Sequence, residues 1–107
     1  MSIYFVSRHP GALEWMRRNG VAFDCHLPHL EIANIRAGDT VIGSLPVNLA
    51  AEVYARGAIY RHLSLKVAPQ DRGRELSAEE LDRYEATLKR YDVHAHPDHY
   101  RITGQKP

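Results

Sequence analysis

Two short apolar runs in this chain end the same way. Ile3-Tyr4-Phe5-Val6 leads into Ser7-Arg8-His9-Pro10, and Thr40-Val41-Ile42-Gly43 leads into Ser44-Leu45-Pro46. Proline fits the first helical turn, where its missing N–H would lack an intrahelical partner anyway, and serine is favoured just before a helix. Each copy therefore predicts a strand, a tight turn and a helix N-terminus. After the first, residues 10–19 offer Ala12, Leu13, Trp15 and Met16 for a packed side, and Gly20 supplies the left-handed position that commonly ends a helix. After the second, a helix is expected from about residue 46 to 56, with Leu49, Ala50 and Val53 inward and Gly57 closing it.

The remaining pattern is weaker. Residues 22–30 are a second strand candidate that runs into a loop, with Pro28 marking an edge or an early end. Ala37-Gly38-Asp39 is a turn, and residues 59–67 alternate apolar with polar in their later part, as a half-buried strand does. A charged loop over 69–74 precedes Ser77-Ala78-Glu79-Glu80, a capping box that predicts a helix to about Tyr91 with Leu81, Tyr84 and Leu88 on one stripe. Residues 93–107, rich in His, Pro and Gly, form a C-terminal tail, either flexible or adding a strand near 100–103. The order β, α, β, β, α, β, α describes a single small Rossmann-like α/β domain over residues 1–92, a mostly parallel sheet flanked by helices. Parallel first and third strands would open two helix N-termini on one sheet edge, where open α/β sheets bind ligands. The pattern thus predicts an anion-binding crevice with Arg8 and His9 at its mouth.

Composition narrows the ligand. In 107 residues, 14 Lys and Arg nearly balance 13 Asp and Glu, and the net charge of +1 gives no long-range field for gripping long nucleic acid. A small anion needs only local positive groups. Cys25 is the sole cysteine, so no intrachain disulfide can form; a reducing compartment is expected, and in its strand-like run the thiol reads as buried and inert. No apolar run approaches the ~20 residues of a membrane span, and Arg8 and His9 stand where a signal peptide would need its apolar centre. Both point to a cytoplasmic protein with no membrane partner.

A polar turn with a capping serine explains Ser7, Arg8 and His9 by itself. A ligand site explains the second copy as well: Gly43 permits close approach, Ser44 supplies a hydroxyl, and Asn48 an amide one turn into the helix. Ser44 and its neighbours lack the lysine and glycine spacing of a Walker loop, which argues against nucleoside triphosphates. Arg72-Gly73-Arg74-Glu75 reads either as a solvated charged loop or as a lid that clamps phosphate. His94, His96 and His99 with Asp98 have a spacing a metal could use, but such a polar terminus is more often unstructured, so no metal is assigned. Trp15 reads as a helix anchor against the sheet, or as a base-stacking ring if it lies at a crevice rim.

Three stretches together resemble small CRISPR-associated proteins of type III systems that act as ring nucleases on cyclic oligoadenylate. They are Phe5 to Ala12 with Glu14-Trp15, then Gly38 to Val53, then Arg72-Gly73-Arg74-Glu75-Leu76-Ser77. Ser44 stands where that pattern has threonine as often, and Tyr54 where it commonly has cysteine. The resemblance covers most of residues 3–91 and leaves the histidines of the tail without a counterpart. It implies a CARF-like homodimer that binds cyclic tetra-adenylate and linearises it, switching off type III signalling, with no cofactor. Chemistry and position then suggest roles. Arg8 would stabilise charge on the reacting phosphate, and His9 would transfer protons. Ser7, Gly11, Gly43, Ser44, Leu45, Pro46 and Asn48 would hold the ligand, with Arg72 closing over it. A protein that only sequesters the messenger, or a regulatory interaction module, are the alternatives.

Overall fold

A computed structural model of the chain describes residues 1–66, 73 and 75–97. Strand β1 (Ile3–Val6) leads into helix α1 (Pro10–Arg18), then β2 (Cys25–Leu27), a 3₁₀ turn at Ile32–Asn34, β3 (Thr40–Gly43), α2 (Val47–Ala55), β4 (Ile59–Ser64), α3 (Ala78–Arg83) and β5 (Thr87–Tyr91). The sheet order is β2-β1-β3-β4-β5. β2, β1, β3 and β4 run parallel, with Phe5 opposite His26 and Ile42, while β5 returns antiparallel on β4 with Leu63 opposite Leu88.

Alternation along the strands divides the core in two. Phe5, Ile42 and Leu63 point to one face, where they pack with Ala12, Trp15 and Met16 of α1 and Ala78 and Leu81 of α3. Val41 and Tyr60 point to the other, against Ala50 and Val53 of α2 and Ile35. The chain leaves β1 towards β2 on one side and β3 towards β4 on the other. Crossovers of one hand running in opposite directions place α1 and α2 on opposite faces, so the strand order reverses between β1 and β3.

The start of β1 is held by two carboxylates from neighbouring segments. Asp24 accepts the Ile3 N–H at 2.7 Å. Asp39, 5 % exposed, accepts the N–H groups of Ser2 and Arg36, each at 2.9 Å, and these two bonds hold its carboxyl below the usual carboxylate range. Gly20 and Gly57 take φ of +67° and +79° just past α1 and α2, as their sequence positions predict.

Two expectations are corrected. The capping box forms, with the Glu80 N–H donating to Ser77 Oγ and the Ser77 N–H to Glu80 Oε1, but the helix it launches ends at Arg83 instead of near Tyr91. Glu85 takes a left-handed φ of +57° that breaks the helix, and residues 87–91 pair with β4. Leu88 thus reaches the core from a strand. Cys25 lies exposed on the edge strand β2, because that strand has a neighbour on one side only. The possible strand near 100–103 falls outside the described residues. Among those described, no helix is long and apolar enough to cross a membrane.

Candidate functional site

At the point where the strand order reverses, the C-terminal ends of β1 and β3 open on a crevice of about 880 Å³. Ser7, Arg8 and His9 form its wall after β1, and Gly43, Ser44, Leu45 and Pro46 its wall after β3. Pro28, His29 and Leu30 close it from the β2 side, and Leu63, Leu65, Gly73, Leu76 and Leu81 from the β4–α3 side. The two repeated turns therefore meet in one place. No carboxylate is among the described residues of the lining, and the charged or titratable side chains there are Arg8, His9 and His29.

Neither serine caps its helix. The caps of α1 and α2 are His9 and Pro46, and neither makes a side-chain capping bond. Ser7 Oγ instead accepts the His9 N–H at 3.0 Å, folding the turn back on itself. Ser44 Oγ donates to the Leu63 carbonyl at 3.3 Å, tying the second turn to the end of β4. The His9 carbonyl takes the N–H groups of Ala12 and Leu13, and the Pro46 carbonyl takes those of Leu49 and Ala50. Among the described residues this leaves the Gly11 N–H of α1, and those of Val47 and Asn48 of α2, without a backbone partner, and neither first turn carries an acid.

Each turn is also held by the strand outside it. The Ser7 N–H donates to the Leu27 carbonyl at 2.9 Å, and His26 Nε2 donates to the Ser7 carbonyl at 2.9 Å while its ring stacks on Phe5. In the second turn the Leu45 N–H donates to the Tyr60 hydroxyl at 2.8 Å, and that hydroxyl also reaches the Gly43 carbonyl at 3.2 Å and His62 Nδ1. Burial raises the Tyr60 hydroxyl above its ordinary value, with the Leu45 N–H partly opposing. Gly43 is needed for closeness: a Cβ there would lie 2.7 Å from the Val6 carbonyl oxygen, where the two strands end side by side.

The sequence candidates differ in where they sit and what they already bond to. Arg8 is exposed and has no partner among the described residues, while His9 faces Glu75 at 3.9 Å with both side chains about six-tenths exposed, a pairing worth little in solvent. Gly11 serves packing: its Cβ would fall 2.0 Å from the Leu76 carbonyl oxygen, so α1 lies directly on the approach to α3. Leu45 lines the crevice, but its N–H is already engaged by Tyr60. Asn48 sits exposed on the first turn of α2 and is not part of the lining. Arg72, His99 and Asp98 lie outside the described residues. Trp15 is 5 % exposed between α1 and α3, which settles it as an anchor. His94 packs on Tyr54 with ring centres 4.2 Å apart, and no group of three potential metal ligands occurs among the described residues. The part that sequence reasoning missed is the support behind the second turn, Tyr60 and His62. A tyrosine and a histidine two apart on a strand place both on one face, which was the available signal.

Residues 4–94 match a family model described as "Putative CRISPR-associated protein (Cas_VVA1548)". Neither a comparison with curated proteins nor one with solved structures found a match.

Proposed function

The chain belongs to the Cas_VVA1548 family of CRISPR-associated proteins, and from that membership and its crevice we propose that it binds cyclic tetra-adenylate and opens the ring. The observation that carries the reading is the convergence of two strand–turn–helix units on one crevice without a carboxylate in its described lining, with Arg8 and His9 at its mouth. A phosphodiester suits such a site. It is anionic, and the Arg8 guanidinium and the hydroxyls of Ser7 and Ser44 on the crevice walls are groups that phosphate oxygens take.

In the proposed reaction a ribose 2′-hydroxyl attacks the adjacent phosphorus, the bond from phosphorus to the 5′-oxygen breaks, and the product ends in a 2′,3′-cyclic phosphate. His9 takes the 2′-hydroxyl proton, and the departing 5′-oxygen is protonated from solvent or from the same imidazole. Arg8 stabilises the negative charge that builds on phosphorus oxygens. The substrate supplies its own nucleophile, so holding the attacking and departing oxygens in line is the protein's main contribution. A cleft of about 880 Å³ is the size that takes a drug-sized ligand, in the ~300–1,000 Å³ range, and a ring of four nucleotides exceeds it. The reading therefore includes a homodimer that places two such crevices across a twofold axis.

The test is incubation of labelled cyclic tetra-adenylate with substoichiometric protein in EDTA, followed by chromatography. Multiple turnovers to a linear product with a cyclic phosphate end are expected. Stoichiometric capture without product would replace catalysis by sequestration. No binding at all would leave an interaction module.

A further inference from the structure

Tyr60 lies near the start of β4, on the face opposite α1, and only 3 % of it is exposed. Its hydroxyl nevertheless reaches the turn after β3 that forms half of the crevice. There it accepts the Leu45 N–H at 2.8 Å and lies 3.2 Å from the Gly43 carbonyl, bracketing Ser44 on both sides. A tyrosine hydroxyl has one proton, so it cannot donate to both Gly43 and His62. The conflict is removed when His62 carries a proton on Nδ1. His62 then donates to the Tyr60 oxygen, Tyr60 donates to the Gly43 carbonyl, and Leu45 donates to Tyr60, so that each group is satisfied.

Ser44 itself is exposed, and its own anchor is the longer bond to the Leu63 carbonyl at 3.3 Å. Pro46, which begins the helical turn of α2, follows two residues later. The Tyr60 hydroxyl therefore fixes the backbone from which the Ser44 side chain is presented to the crevice, just ahead of the start of α2. We propose that Tyr60, oriented by His62, is a positioning residue that sets the affinity of this crevice for its phosphodiester ligand by holding the Gly43–Leu45 turn in its binding shape. The inference rests on the ligand reading above and adds residues that touch no ligand.

Tyr60→Phe keeps the ring in the core and removes only the hydroxyl. Its dissociation constant for cyclic tetra-adenylate is expected to rise roughly tenfold, the scale of one lost hydrogen bond, with turnover at saturation unchanged. Amide hydrogen exchange at Leu45 should accelerate in the same variant. Val53→Ala, a cavity in the core on the same side of the sheet, is the control for simple loss of stability: it should lower the melting temperature while the folded protein binds as the parent does. Parent-like affinity in Tyr60→Phe despite faster Leu45 exchange overturns the proposal, as does an equal loss of affinity in Val53→Ala. If the parent protein binds no cyclic tetra-adenylate, the ligand reading falls. Exchange then decides the hydroxyl's part separately, and an unchanged Leu45 rate in Tyr60→Phe overturns it.

Discussion

Arg8 and Ser44 sit on opposite walls of the crevice and differ in what they already do in the free protein. Arg8 has no partner among the described residues, so its guanidinium is available to a ligand, whereas Ser44 is occupied with the Leu63 carbonyl. If Arg8 meets the charge that develops during cleavage, Arg8→Ala should lower single-turnover rates with saturating protein by roughly 100-fold, the scale of a lost oxyanion donor. Ser44→Ala should leave that rate nearly intact and weaken binding by about tenfold. An unchanged rate in Arg8→Ala would move the chemistry to His9. The residues of both walls were legible in the sequence because serine and proline after an apolar run mark a turn. What those serines bond to was not, since a hydroxyl near a helix start has several acceptors within reach and tertiary neighbours choose among them. Ser44 finds its acceptor 19 positions away, at the end of the next strand.

Among the elements, α1 is placed by a contact that leaves no room for a side chain. A Cβ on Gly11 would lie 2.0 Å from the Leu76 carbonyl oxygen and 3.0 Å from Ser77 Cα, both backbone atoms that cannot turn aside. Gly11→Ala must push α1 off the segment leading into α3, and a loss of about 1–3 kcal/mol is expected from overpacking, read from the urea midpoint. A variant as stable as the parent would show that the two segments separate freely. The elements themselves were largely readable: β1, α1, β3, α2 and β4 each combine an apolar pattern with proline or glycine at the ends. β5 was hidden because Leu81, Tyr84 and Leu88 continue a helical period across the break. Only Glu85, an unremarkable residue in an acidic stretch, takes the left-handed backbone that ends the helix. The strand beyond it shows little alternation, since at the sheet edge Leu88 alone reaches the core cluster.

For the whole molecule, the mostly parallel sheet with helices on both faces follows from the order of its elements, and the crevice follows from the reversal between β1 and β3. Assembly is the expectation that remains at this scale. Light scattering over a dilution series should give about twice the 12.2 kDa of one chain when cyclic tetra-adenylate is present, and a constant monomer mass would refute the dimer. The crevice walls also depend on strands that arrive at very different times. The turn after β1 is braced by His26, but the turn after β3 is braced by Tyr60, which leaves the ribosome later than every residue of the wall it supports. A chain interrupted after α2 would carry the residues of β1, β3 and both helix starts and still lack that brace. If the crevice binds cyclic tetra-adenylate as proposed, its full affinity would thus appear only once β4 has docked, so a half-made or clipped protein would compete poorly with the finished one for ligand.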